Sequence, residues 1–140
     1  MIGHLLFNTL IVAAAVMIHY EFLYRLSRAI PRLPGRPHAR ILFGVFGALI
    51  AHIIEIWLFA FGFYFMHHQG WGELTGNYDG SLLASAYFSF TTFTTLGFGD
   101  IAPIGALRYL TGVESLAGLV LITWSASFLF YEMQKYWGRE

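Results

Sequence analysis

Thr95-Leu96-Gly97-Phe98-Gly99-Asp100 is the stretch that decides how this 140-residue chain is read. Before it runs Ser81 to Thr94, a short apolar segment rich in aromatics and threonine. After it comes a much longer apolar run, Ile104 to Glu132. Two glycines in a polar-ended loop between hydrophobic segments pose a solvation problem. In lipid, each unpaired backbone group costs several kcal/mol, so irregular backbone must be buried in protein or line a water-filled cavity. Fourteen residues make about 21 Å of helix, too short to cross a bilayer. Residues 81–94 therefore read as a re-entrant helix, capped by Asp79 or Ser81, that delivers the loop to membrane depth.

The glycine spacing suggests what the loop presents. An extended strand alternates its carbonyls. To aim consecutive carbonyls one way, the backbone must leave the β region at alternate residues, and glycine visits φ > 0 with little steric penalty. Gly97 and Gly99 stand two apart, as that requires. The six residues resemble the selectivity filter of the potassium channel superfamily, whose Thr-Val-Gly-Tyr-Gly loops replace the hydration shell of the ion. Leu and Phe here stand for Val and Tyr. The nearest resemblance is to the small bacterial channels with one pore loop, of the ion transport 2 type, carrying an extra N-terminal helix. The resemblance covers roughly Ile41 to Lys135. It implies that Thr95, Leu96, Gly97 and Phe98 offer oxygens to K+, with Gly99 as filter support and Asp100 at the outer mouth. Thr91 and Thr94 are expected to hydrogen-bond behind the filter. Phe98 lacks the hydroxyl with which a Tyr would tie the loop to the helix before it.

Composition agrees with a membrane protein. The chain is 57% hydrophobic and 11% charged, with a mean hydropathy of +0.61, whereas soluble domains average about 25% charged residues. Cysteine is absent, which excludes disulfides, thiolate metal sites and cysteine nucleophiles. The net charge of zero hides Arg25, Arg28, Arg32, Arg36 and Arg40, gathered in one short stretch with Pro31, Pro34, Gly35 and Pro37. The prolines forbid a continuous helix there. A basic juxtamembrane loop explains the arginines better than nucleic-acid binding, and it places residues 27–40 in the cytoplasm.

The expected order is then an N-terminal transmembrane helix (residues 1–26, apolar from Leu5), the basic linker 27–40, and a pore domain over 41–135. Within that domain lie an outer helix 41–66, a pore helix 81–94, the filter 95–100 and an inner helix 104–132, followed by a short cytoplasmic tail 136–140. No basic n-region precedes the first run, which reads as a retained span and not a signal peptide. The fold class is an all-α membrane protein of three spanning helices plus the re-entrant helix and extended filter. The N-terminus is expected outside and the C-terminus inside the cell (plasma) membrane. One loop cannot surround an ion, so closed symmetry is required, and the resemblance implies a homotetramer. Expected partners are K+ and the lipid bilayer. No cofactor, nucleic acid or enzymatic activity is expected. The chain leaves no room for a ligand-gating domain, and no span carries an arginine ladder.

Gly112 and Gly118 interrupt the third span, as a gating hinge or as sites of close helix packing. Glu55 and Glu114 lie in spans at similar depth, roughly 14–17 Å from the outer ends at 1.5 Å per residue. His52 is one turn from Glu55, and His19 lies on the first span. An acid at that depth costs at least about 2.5 kcal/mol unless protonated or paired. The open readings for His52, Glu55 and Glu114 are a bracing network, a proton sensor or a metal site. Two ligands at i, i+3 are too few for a metal by themselves.

Overall fold

The computed structural model describes residues 1–137. Of the tail expected at 136–140, Tyr136 and Trp137 extend the last helix, while residues 138–140, Arg139 among them, lie outside the described residues. Helix α1 spans Ile2–Ala29 and passes into a turn of 3-10 helix at Ile30–Arg32. Helix α2 follows at Pro37–His68, strand β1 at Gly72–Gly76, helix α3 at Leu82–Phe93, strand β2 at Ile101–Gly105 and helix α4 at Leu107–Trp137. Three segments, Ile2–Arg32, Pro37–His68 and Leu107–Trp137, are long and apolar enough to cross a membrane; α3 is not.

Proline sets the break between α1 and α2. Leu33 and Arg36, each preceding a proline, are held extended (ψ 130° and 154°), because the proline ring disfavours helical backbone in the residue before it. Pro37 then opens α2, where its missing N–H costs no hydrogen bond. At α3, Ser81 is the cap and its hydroxyl accepts from the Ala84 N–H at 3.0 Å. Asp79 acts one step earlier, accepting from the Ser81 N–H at 2.9 Å. Hydrogen bonding from the Ser81 side chain, and from its N–H, holds the Asp79 carboxyl below the usual range.

The stretches on either side of the re-entrant segment pair as a two-stranded antiparallel sheet, whose second strand takes Ile104 and Gly105 from the start of the expected inner helix 104–132. Gly72 pairs with Gly105, Leu74 with Pro103 and Gly76 with Ile101. Leu74 and Ile101 point into the core and are 4% exposed. Pro103 is tolerated because a two-stranded sheet is all edge.

Lipid tails are as apolar as leucine, so close packing rather than the hydrophobic effect joins membrane helices. Glycines on α2 supply the room. A Cβ at Gly62 would sit 2.6 Å from Ile11 Cδ1, and one at Gly47 would sit 2.8 Å from Leu26 Cδ1. Helix α1 therefore packs on α2, and also on α4, of its own chain. The main core gathers Ile11, Phe59, Phe63, Phe88, Phe93 and Leu110 from all four helices.

Candidate functional site

Helix α3 stops at Thr94, and the chain from Thr95 to Asp100 has no regular structure. It is nonetheless tied down at its start. The Thr95 N–H donates to the Thr92 carbonyl at 3.0 Å, and the Gly97 N–H donates to the Thr91 carbonyl at 3.0 Å. The backbone then enters the left-handed region at every second residue, with φ of 59° at Thr95, 54° at Gly97 and 81° at Gly99. A Cβ added at Gly97 or Gly99 would meet no other atom within 4 Å. Glycine is needed at these two positions for conformation, not for space. Thr95 has no such freedom, and a non-glycine residue held there stores on the order of 1–3 kcal/mol.

Every residue from Thr94 to Asp100 is exposed on the single chain. Leu96 is 60% exposed and Phe98 63%. Apolar side chains flanking a strained, ordered loop mark a surface meant to be covered.

Thr91 supports the loop through its main chain rather than its hydroxyl. The hydroxyls of Thr91 and Thr94 donate to carbonyls of their own helix, Phe88 at 2.9 Å and Phe90 at 2.7 Å. Tyr87 braces the loop further along. Its ring lies parallel to Phe98, centroids 6.3 Å apart and planes 6° from each other. Its hydroxyl donates to Asp100 Oδ2 at 2.9 Å, an interaction that pushes the phenol pKa up. Sequence reasoning missed Tyr87. The available signal was a Tyr in the short helix before the loop, able to supply the hydroxyl that Phe98 lacks.

Glu114 and Gly118 of α4 both lie against α3. Ser89 Oγ donates to the Ile56 carbonyl at 2.8 Å. The same oxygen touches Glu114 Oε1. A hydroxyl has one hydrogen and a carbonyl can only accept. That single hydrogen can go to the Ile56 carbonyl or to the Glu114 carboxyl, both within reach of Ser89 Oγ. One buried chain of bonds thus joins α4, α3 and α2. One turn on, a Cβ at Gly118 would collide with the Phe93 carbonyl, whereas one at Gly112 would meet nothing within 4 Å. Gly118 lets α4 reach the end of α3.

Glu55 belongs to a separate network and does not bond Glu114. Its Oε1 lies 2.8 Å from His19 Nδ1 on α1, and its Oε2 lies 2.9 Å from His52 Nδ1 on α2. The aromatic ring of Phe93, 5.7 Å from that of His52, stands between this network and the start of the loop.

A family model described as "Ion channel" matches residues 41–135. The chain belongs to this ion channel family. No curated protein and no solved structure matches it. In this channel the match takes in α2, the sheet, α3, the loop and most of α4, and leaves α1 outside. His19 is thus contributed to the Glu55 network from beyond the family's region.

Proposed function

We propose that the channel is potassium-selective and conducts passively through a homotetramer whose axis is lined by Thr95-Leu96-Gly97-Phe98. The observation that carries this reading is the left-handed backbone at Thr95, Gly97 and Gly99. That alternation brings carbonyls that would point to opposite sides onto one side, the arrangement that substitutes for the water around a potassium ion. Four loops supply the cage that one cannot. The exposure of Leu96 and Phe98 on the single chain supports burial against neighbouring copies. Asp100, held by Tyr87, stands at the outer mouth, where a carboxylate attracts cations.

The orientation follows from the arginines between α1 and α2, which keep that turn in the cytoplasm. The N-terminus is then outside, the C-terminus inside and the loop entered from outside, in the cell membrane. K+ is the permeant ion. No covalent chemistry and no cofactor is called for.

The test is ion flux through the purified protein in liposomes under an outward K+ gradient, with Na+ and Gly97→Ala run in parallel. K+ flux that exceeds Na+ flux and vanishes in the variant is the expected result. Equal Na+ and K+ flux would replace potassium selectivity with a non-selective cation pore. Absence of flux across roughly pH 4–9, where His and buried Glu titrate, would replace conduction with a sensory or regulatory role.

A further inference from the structure

The two ligands that α2 offers at His52 and Glu55 become three when α1 is in place. One ligand atom from each of His19, His52 and Glu55 lies within 4.8 Å of the others, and both Nδ1 atoms face the carboxylate. The side chains of His19 and Glu55 are fully buried, and that of His52 is 14% exposed. We propose that these three residues form a site for a divalent transition-metal ion, which staples α1 to the pore domain.

Two imidazoles and one carboxylate are a donor set for Zn2+, Co2+ or Ni2+ and not for Ca2+ or Mg2+, which prefer all-oxygen shells. A tetrahedral ion with ligands about 2.1 Å away keeps those ligands roughly 3.4 Å apart. The 2.8 and 2.9 Å separations to Glu55 must open slightly, so the ion enters by side-chain rotations on the order of 1 Å. A water or hydroxide fills the fourth position.

The hydrogens have somewhere to go. Without metal, each Nδ1–H donates to Glu55. With metal, both Nδ1 atoms must present lone pairs, so each neutral ring carries its hydrogen on Nε2. On His19 that nitrogen faces Ser125 Oγ of α4 at 3.4 Å, which can accept it. An outer partner of this kind fixes the tautomer and ring orientation of a metal-bound histidine. The Trp124 ring, 5.0 Å from that of His19, closes the α4 side. Each element packed around the site thus contributes: α1 and α2 the ligands, α4 the outer hydroxyl, and α3 the Phe93 ring beside His52.

The experiment uses the full chain in lipid nanodiscs, stripped with a chelator and titrated with Zn2+. One Zn2+ per chain with a raised melting temperature is expected. His19→Ala and His52→Ala should each weaken Zn2+ on the order of 100-fold or more, while His4→Ala and His68→Ala should bind as the parent does. Zinc-edge X-ray absorption of the unmutated protein should show two imidazoles and a carboxylate, so the answer does not depend on the variants folding. Substoichiometric binding, equal affinity in His19→Ala, or a zinc shell without two imidazoles would each overturn the site. Neither readout involves ion flux, so failure here leaves the conduction reading standing.

Discussion

Replacing Gly118 by alanine separates a packing role from a hinge role at the middle of α4. A Cβ there runs into the carbonyl of Phe93, the last residue of α3, and lies within 3.0 Å of its Cα and carbonyl carbon. Main chain cannot rotate aside as a side-chain tip does. Overpacking costs about 1–3 kcal/mol, and alanine returns roughly 0.8–1.0 kcal/mol through its better helix propensity. The immovable obstacle puts the first figure toward its upper end, for a net loss of about 2 kcal/mol. Gly112→Ala meets nothing, so only the propensity gain of about 1 kcal/mol applies. The two variants should therefore straddle the parent, with a gap of about 3 kcal/mol between them. Thermal or denaturant unfolding in detergent or nanodiscs reads the order, and liposome flux on the same samples reads conduction. Equal stability of the two variants would refute the packing argument. Flux lost in Gly118→Ala at parental stability would restore the hinge.

Tyr87→Phe keeps the stack on Phe98 but removes the hydrogen bond to Asp100, so K+ over Na+ selectivity should fall in flux assays at low K+. Because the Tyr87 pKa is raised, the stabilisation from this bond is fully present below pH about 10 and is lost as pH rises through the folded-state pKa. Asp100→Asn should bring the phenol titration down, as followed by ultraviolet absorbance. Glu114→Gln can still hydrogen-bond Ser89 and should unfold within about 0.5 kcal/mol of the parent, whereas Glu114→Ala should lose on the order of 1–3 kcal/mol. Equal losses in both would contradict a hydrogen bond that joins α4 to α3 at this point. Glu55→Ala strands two imidazole N–H groups and should cost on the order of 1–3 kcal/mol for each. Glu55→Gln should be mild if the carboxylate only braces. If it senses protons, the pH dependence of flux should disappear in that variant.

The spans, the short α3 and the loop could be read from the sequence because hydrophobic length and glycine spacing are local signals. Other features are not local. The β1 residues Gly72-Glu73-Leu74-Thr75-Gly76 carry little strand character, and their partner lies beyond α3 and contains a proline. Glu55 finds His19 at a separation of 36 residues. Helices that are apolar on every side do not announce which face turns inward, so neither the seating of α1 nor the separation of Glu55 from Glu114 followed from their depths. The direction of the Thr91 and Thr94 hydroxyls was hidden for a related reason. A threonine within a helix can satisfy its hydroxyl on the preceding turn, and both do so here.

The β1–β2 pairing has a consequence for how the re-entrant segment is assembled. The chain enters and leaves that excursion through one doorway, pinned from Gly72–Gly105 to Gly76–Ile101 and finished by the Asn77 N–H on the Asp100 carbonyl at 2.8 Å. Main-chain ladders at the rim thus close the loop alongside the contacts α3 makes with α2 and α4. Fluctuations of α3 and the strained backbone beyond it occur between anchored ends. A segment that opens locally begins its return from a closed ring instead of a free arm, which favours recovery of the same backbone alternation each time.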